Sequence, residues 1–171
     1  MSHQILVVEL CDCVTPTARK SSLSIRLRRS LSVLRYPICA LRPTGVYGVP
    51  RPVQNSKWFD LVATVVRGEA VQCSRGGKEV HAADVAKAAG ILLTADGIAG
   101  EAFNCYDRYV SEFDVATLAK ELSGSTSQVV GEPKQPKHEI VTDKIRALGM
   151  EFGGDGLLSQ TVAELVEGAK S

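Results

Sequence analysis

Hydrophobic positions along this chain follow two different patterns. Between Ser22 and Leu34, leucines recur at positions 23, 27, 31 and 34, and arginines occupy the other faces. This spacing is typical of an amphipathic helix that packs one face on a core. The run Ile5–Val8 is instead short, continuous and rich in β-branched residues, so it predicts a buried strand.

Strand-like and helical patterns alternate over the rest of the chain. Residues 36–41 predict a second buried strand, and the proline and two glycines that follow predict that it breaks into a turn by Gly48. Five further helices are predicted. The first covers residues 58–67 and ends at Gly68, the second begins at Asp84, and the third covers residues 112–122 with Ser111 as its N-cap. The fourth begins at Thr142 or Asp143, and the fifth covers residues 161–169. Short strands are predicted at 70–73 and 103–106, and the R-G-G-K sequence at 75–78 is predicted to be a turn. This order indicates an α/β protein with few strands for a self-contained parallel sheet.

Composition narrows the class of protein. The chain has 171 residues, 44% of them hydrophobic, and a net charge of +1, which favours a globular protein with a real core. Its five cysteines include no C-x-x-C pair, so they predict reduced thiols in a cytoplasmic protein and no metal site. The apolar stretch at residues 5–10 is too short to span a membrane, and R-L-R-R at 26–29 lacks the interleaved aromatic residues of a nucleic-acid site.

Three segments together resemble a known family. They are L-R-P-T-G-V-Y-G at 41–48, H-A-A-D-V-A-K-A at 81–88 and G-E-A-F-N-C-Y at 100–106. From about Ser21 to the C-terminus the chain is similar to the second half of an extended short-chain dehydrogenase, the NAD-dependent epimerase and dehydratase family. The resemblance implies a partial Rossmann-like α/β fold over residues 21–171, with the end of the main sheet and the small substrate domain. Residues 1–20 fit it poorly, and the N-terminal dinucleotide-binding unit is expected to be missing.

The chain departs from this family where the chemistry is done. The 171 residues contain no G-x-G-x-x-G or G-x-x-G-x-x-G sequence, which holds the dinucleotide pyrophosphate in relatives. No tyrosine stands four residues before a lysine, so the Tyr-x-x-x-Lys pair is absent as well. Counting back from Arg42 by the family's interval reaches Lys20, but Pro16 occupies the tyrosine position. Lys20 is therefore either a relic of the catalytic lysine or an ordinary solvated lysine.

Other candidate residues are implied by the resemblance. Pro43, Thr44 and Val46 match the loop that faces the nicotinamide of NAD or NADP, although the same residues also suit a simple turn. Gly45 stands where many relatives have an asparagine that contacts the substrate phosphate. His81 matches the histidine of an R-x-F-V-H-V-x-D-V-A signature whose arginine is replaced here by Gly77.

The lost arginine raises the question of what could bind a substrate diphosphate. Arg75 or Lys78 could supply the missing positive charge, while a solvated turn is the alternative. His81 also suits a hydrogen-bonded packing role, and Asp84 suits a helix cap rather than catalysis.

Two functions from different classes remain open. The first is NAD(P)-dependent epimerase or dehydratase chemistry on a nucleotide sugar or related alcohol, with this polypeptide inactive alone. The second is a non-catalytic binding or scaffold module that keeps the substrate domain. Since a sheet without its first strands exposes an edge, we expect a homo-oligomer or a partner chain that carries the missing Rossmann half.

Overall fold

The computed structural model describes residues 5–8 and 37–171, which form two compact units. Their strands are β1 Ile5–Val8, β2 Ile38–Pro43, β3 Gly45–Tyr47, β4 Val71–Cys73, β5 Gly76–His81, β6 Ala102–Cys105, β7 Arg108–Ser111 and β8 Val129–Gly131. Their α-helices are α1 Phe59–Val66, α2 Ala82–Thr94, α3 Glu112–Ser123, α4 Asp143–Arg146 and α5 Gly154–Lys170, with a short 3-10 helix at Val53–Asn55. The predicted mixed α/β class is confirmed.

The first unit is built on a parallel sheet. It contains the described residues up to Gly45, together with Ala83–Tyr106 and Ile140–Phe152. The strand order is β1-β2-β6, and Leu41 of the central strand pairs with Val8 on one side and Phe103 on the other. Residues 38–41 of β2 are all buried, because a central parallel strand has both faces covered. The predicted strands at Ile5–Val8 and around residues 36–41 are therefore confirmed, but β1 is not buried as predicted, since Leu6 and Val7 are half-buried and Val8 is 47% exposed.

The second unit combines a small antiparallel sheet with a helical core. It contains Val46–Ala82, Asp107–Glu139 and Gly153–Ser171. One sheet has the order β3-β5-β7, with β5 and β7 antiparallel, and β4 pairs in parallel with β8. Helices α1, α3 and α5 pack on one another through buried aliphatic side chains that include Val62, Val115 and Leu165. This apolar core stabilises the unit by removing those side chains from water.

The helix ends of the second unit follow local chemistry. The Ser111 hydroxyl accepts a hydrogen bond from the Asp114 backbone N–H, and the Asp114 carboxylate accepts one from the Ser111 N–H, which is a capping box. Gly124 ends α3 in the left-handed conformation, and Gly68 follows α1 with a φ of 79°. The predicted cap at Ser111 and both predicted stops are confirmed.

Three predicted boundaries are wrong. The R-G-G-K segment is not a turn, because Gly76, Gly77 and Lys78 belong to β5 and pair with β7. Similarly, β2 runs through Pro43 and β3 resumes at Gly45, so the predicted turn is reduced to the single residue Thr44. Helix α5 starts at Gly154 rather than at residue 161, since packing on α1 and α3 outweighs the weak helix propensity of its glycines.

Some strands have no signal in the local sequence, and some predictions fall outside the described residues. Strands β7 and β8 were not predicted, and each is a short segment that pairs with a strand distant in the sequence. The predicted helix at 22–34 and the predicted domain boundary at residue 20 lie outside the described residues. Helix α4 begins where predicted, but Thr142 makes no side-chain cap hydrogen bond.

The cysteines of the described residues are buried thiols. Cys39 and Cys105 lie in the first unit and Cys73 in the second, all less than 5% exposed. The pKa of the Cys73 thiol is raised, mainly because the thiol is buried and also because Glu112 is negatively charged. These side chains act as small apolar core residues.

Two glycine substitutions test the backbone conformation, and their expected effects on the free energy of unfolding have opposite signs. Gly131 has a φ of 139°, and a Cβ there would overlap the Cys73 carbonyl oxygen, so we expect Gly131→Ala to lower the free energy of unfolding by at least about 1 kcal/mol. Gly90 lies within α2 with open space around it, so Gly90→Ala should raise that free energy by up to about 1 kcal/mol. Urea unfolding followed by circular dichroism measures both. Equal effects of the two variants would contradict this account.

Candidate functional site

The carboxyl end of the parallel sheet carries an unusual hydroxyl. Thr44 follows β2 directly, and its backbone N–H donates a 3.1 Å hydrogen bond to the Cys105 carbonyl oxygen at the end of β6. Its side chain is 6% exposed, and the buried hydroxyl oxygen has no hydrogen-bond partner among the described residues. A buried polar atom left unpaired costs about 1–3 kcal/mol, so such atoms are uncommon without a functional reason.

The position of Thr44 also has a topological meaning. In open α/β sheets, ligands bind outside the carboxyl ends of the parallel strands, where backbone groups and loop side chains are exposed to a crevice. Pro43 pairs with Cys105, the last residue of β6, so both strands end at the same level. The candidate cofactor residues Pro43 and Thr44 therefore lie where the fold class places ligands.

Gly45 is the last residue of the first unit and the first of β3. Val46, Arg75, Lys78 and His81 lie in the second unit, on or beside the β3-β5-β7 sheet. Val46 on β3 is 38% exposed, and His81 is the last residue of β5. The His81 ring packs edge-on against the buried Tyr47 ring at 5.1 Å between centroids, and the Trp58 ring centroid is also 5.1 Å from that of Tyr47. His81 is thus part of an aromatic cluster, which is the packing role that the sequence left open.

Strand alternation separates two of the predicted substrate residues. Successive side chains of β5 point to opposite faces, so Gly77, Glu79 and His81 share one face while Gly76 and Lys78 share the other. Lys78 and His81 therefore do not act on one ligand group from the same side of the strand. Lys78 lies opposite Tyr109 of β7 instead.

The Gly77 face of β5 carries a buried ion pair. Glu79 has a side chain only 3% exposed, and its Oε1 accepts a hydrogen bond from the Lys57 ammonium, which is 41% exposed. The other oxygen, Oε2, is buried without a hydrogen-bond partner among the described residues. Burial raises the pKa of the Glu79 carboxyl more than the contact with Lys57 lowers it.

Gly77 makes room for this ion pair. A Cβ at Gly77 would overlap the Glu79 Oε1 atom and lie 4.0 Å from the Lys57 Nζ. Any side chain at this position would displace the carboxylate. The absence of a side chain at residue 77 and the presence of an acid at residue 79 are therefore one coupled arrangement.

Arg75 lies just before β5 and is exposed. Its backbone is held in place, since the N–H groups of Ser74 and Arg75 donate to the Glu112 Oε2 atom at 3.1 and 3.0 Å. The Glu112 N–H in turn donates to the Arg75 carbonyl oxygen at 2.9 Å. The backbone at residue 75 is thus fixed by the first turn of α3, which is more order than a solvated turn would have.

The Lys78 face of β5 borders an open groove. Lys78, Tyr109 and residues 132–138 line it, with a volume of about 570 Å³. Sequence reasoning missed Tyr109, Lys134 and Lys137, and it also missed Lys57 and Glu79 on the opposite face. No local signal marks the Lys57–Glu79 pair, because its members are 22 residues apart and meet only after β5 is formed.

Among the described residues, no group of three or more histidine, cysteine or acidic side chains could hold a metal ion. None of the described helices combines the length and the apolarity that a membrane crossing requires. Lys20 and Pro16 lie outside the described residues.

Solved structures of similar shape give the fold a name. A UDP-glucose 4-epimerase from Thermotoga maritima with UDP-glucose is 21% identical, with a TM-score of 0.65 over 88% of this chain and 52% of that chain. A dTDP-glucose 4,6-dehydratase from Bacillus anthracis with NAD is 16% identical, with a TM-score of 0.63 over 99% and 58%. RMD from Pseudomonas aeruginosa with NADPH is 12% identical, with a TM-score of 0.73 over 99% and 67%. The described chain has the fold of part of an extended short-chain dehydrogenase.

This extended short-chain dehydrogenase fold is present only in part, since the chain spans between 52% and 67% of the length of those three structures. Neither a protein-family model nor a curated protein matches the sequence. The predicted resemblance is confirmed at the level of fold, and the identities are too low to carry an activity with them.

The sequence resemblance gives the Gly77 arrangement a further meaning. The R-x-F-V-H-V-x-D-V-A signature implies an arginine at the position of Gly77 and an aromatic residue at that of Glu79. Here the Glu79 carboxylate occupies the space above residue 77, and it pairs with the nearby Lys57. By the resemblance, the Lys57–Glu79 ion pair lies beside the position where an arginine is expected.

The Glu79 carboxyl should be visible in the pH dependence of stability. Its pKa in the folded protein is raised above the ordinary 4.5, so folding favours the protonated form. This contribution is present below about pH 4.5 and is lost as the pH rises through the folded pKa. As the pH rises from about 4.5 through the folded pKa, we expect the urea midpoint of Glu79→Gln to fall less than that of the unmodified protein.

The control is Glu69→Gln. Glu69 is fully exposed, and the hydrogen bond from Arg67 lowers its pKa, so any effect of this variant has the opposite sign. Urea unfolding in steps from about pH 4 to about pH 8 compares the three proteins. Parallel curves for Glu79→Gln and the unmodified protein would contradict the assignment.

Proposed function

We propose that this chain is a substrate-recognising part of an NAD(P)-dependent epimerase or dehydratase that acts on a nucleotide sugar or a related alcohol, and that it does not catalyse the reaction alone. The observation that carries the proposal is the buried, unpartnered Thr44 hydroxyl at the carboxyl end of the parallel strands of a dehydrogenase fold. In this proposal Pro43, Thr44 and Val46 belong to the cofactor side, while Gly45, Arg75, Lys78 and His81 belong to the substrate side.

The residues present suit only one end of a dinucleotide. The Thr44 hydroxyl could donate to or accept from the carboxamide of a nicotinamide, and that pairing would remove its desolvation cost. The nicotinamide cofactor supplies the hydride-accepting chemistry when it is bound. No glycine-rich loop for its pyrophosphate occurs in the 171 residues, and no Tyr-x-x-x-Lys pair is present to move a proton.

A partner is therefore part of the proposal. A second copy of the chain or a chain carrying the Rossmann half would have to contribute the pyrophosphate loop and the proton-transfer pair. The chain then supplies the strand end at Thr44 and the sheet that carries His81 and Lys78. Catalysis depends on the assembled protein rather than on this chain.

A non-catalytic binding or scaffold module is the alternative, and one observation favours it. The ion pair of Lys57 and Glu79 fills the space at Gly77, so the fixed arginine fork of the family signature has no counterpart on that face. A protein that does not catalyse a reaction would tolerate the loss of this arginine.

Thr44→Val tests whether the hydroxyl is kept for a ligand rather than for stability. Valine preserves the shape and removes an unpaired buried hydroxyl, so we expect the free energy of unfolding to rise by about 1 kcal/mol. The matched control is Thr161→Val, which removes a buried hydroxyl that donates to the Leu157 carbonyl oxygen at 2.8 Å and should not stabilise. If Thr44→Val destabilises the protein more than Thr161→Val does, the hydroxyl has a structural partner and the proposal loses its basis.

A cofactor titration distinguishes a chain that needs a partner from an enzyme that is complete by itself. With NAD(H) or NADP(H) at about 1 mM, we expect neither the melting temperature nor Trp58 fluorescence of the chain alone to change, because binding to the native state at useful affinity would raise the melting temperature. Trp58 is a suitable reporter because it is 7% exposed and contacts Tyr47 beside His81. A saturable shift accompanied by turnover would show that the chain is active without a partner.

A further inference from the structure

A second open groove in the second unit runs beside helix α5, and its volume is about 600 Å³. We call it the α5 groove. It is lined on one side, the loop side, by residues 49–51 and Val53, and on the other, the helix side, by Ala163, Glu164, Glu167 and Gly168. It shares no residue with the candidate functional site, so the proposed function gives it no role.

The loop side of the α5 groove is held in place at its ends. The buried Ser56 hydroxyl donates a 2.7 Å hydrogen bond to the Gly48 carbonyl oxygen, which closes the loop. Prolines at positions 50 and 52 restrict backbone rotation inside it. A preformed surface of this kind loses less conformational entropy on binding than a flexible loop does.

The base of the α5 groove is apolar. Val49 and Val53 are partly buried and pack against the core of the unit. A Cβ at Gly168 would lie 3.0 Å from the Val53 Cγ1 atom, so the glycine lets the loop approach α5 closely. Covering this base would therefore remove apolar surface from water next to an existing core.

The two sides of the α5 groove carry opposite charges that do not pair with each other. Arg51 on the loop side is exposed, and its guanidinium makes no hydrogen bond or ion pair with a described residue. On the helix side, the Oε1 atoms of Glu164 and Glu167 accept hydrogen bonds from Gln160 at 3.0 Å and from Lys170 at 2.8 Å. Their Oε2 atoms have no partner among the described residues. Each side thus lacks the charge that the other carries.

This arrangement is complementary to itself. A two-fold axis along the groove exchanges its sides, so that the loop side of one protomer meets the helix side of its partner. Arg51 of each protomer would then enter the other groove beside Glu164 and Glu167, where its planar guanidinium can donate to two carboxylate oxygens. Because of the symmetry, this contact is made twice.

We infer that the α5 groove is the surface through which two copies of this chain form a symmetric dimer. A second copy supplies the cation that the glutamates lack and the carboxylates that Arg51 lacks. A partner with charge of only one sign would leave one side of the groove unpaired. None of the residues assigned to cofactor or substrate takes part, so the inference extends beyond the proposed function and does not depend on it.

Sedimentation velocity of the full chain between about 5 and about 200 μM tests the inference. We expect the average mass to rise with concentration from 18.3 kDa toward twice that value. Association should weaken as salt is raised from about 50 to about 500 mM, because salt screens exposed charges. Arg51→Glu should weaken self-association at least about 10-fold, which corresponds to about 1.4 kcal/mol, and so should the double variant Glu164→Lys with Glu167→Lys.

Mixing these two variants distinguishes contact between copies from contact within one chain. Each variant alone brings like charges together at both equivalent contacts of the dimer. In a mixed dimer, one contact keeps the original charges and the other has both charges exchanged, so both are attractive. We expect the mixture to associate within about 3-fold of the unmodified protein.

The control is Lys144→Glu, which reverses the charge of a 64% exposed lysine in the first unit. It should self-associate within about 2-fold of the unmodified protein, and circular dichroism should show that every variant is folded. A chain that stays monomeric at every concentration overturns the inference, and so does a mixture of the two variants that associates no better than either variant alone. Neither result depends on the outcome of the cofactor titration.

Discussion

Backbone pairing between β5 and β7 is the constraint on which the second unit depends. Gly76 and Gly77 stand opposite Ser111 and Val110, and this register decides which way each following side chain points. Lys78 turns toward Tyr109 and the open groove lined by residues 132–138, whereas Glu79 turns toward Lys57. Because the side-chain period of a strand is two, a slip of one residue would exchange these two charges between the faces.

The same pairing explains why two glycines are needed. Gly76 lets the Tyr109 ring lie against the strand, and Gly77 leaves space for the Glu79 carboxylate. Both are close-approach positions rather than turn positions, and neither has a positive φ. A sequence alone cannot distinguish these two uses of glycine, which is why the R-G-G-K segment was predicted as a turn.

Features that depend on neighbouring residues in the sequence were predictable, and features that depend on residues distant in the sequence were not. Ser111, Gly68 and Gly124 mark helix ends through interactions with their own neighbours, and the apolar run of β2 is continuous along the chain. Strands β7 and β8 exist because β5 and β4 lie beside them, so their short sequences carry no signal of their own. Among the site residues, Thr44 could be predicted from the resemblance of its segment, whereas the Lys57–Glu79 pair required the folded sheet.

The first and second units contribute different things to the proposed function. The first presents an unpaired hydroxyl at the end of parallel strands, which is a geometry for orienting a ligand group. The second separates a neutral ion pair from a cationic groove on the two sides of one strand. In the proposed function, the dehydrogenase fold keeps places that recognise ligands although the sequence lacks the groups that perform the chemistry.

The buried thiols give each unit an internal reporter. Cys39 and Cys105 are buried in strands of the parallel sheet, and Cys73 is the buried last residue of β4, where it pairs with Gly131 of β8. An alkylating reagent reaches such sulfur atoms only when the surrounding backbone opens, so the rate of modification measures local opening. Mass spectrometry that resolves the peptides would then show whether the parallel sheet and the helical core open together or independently.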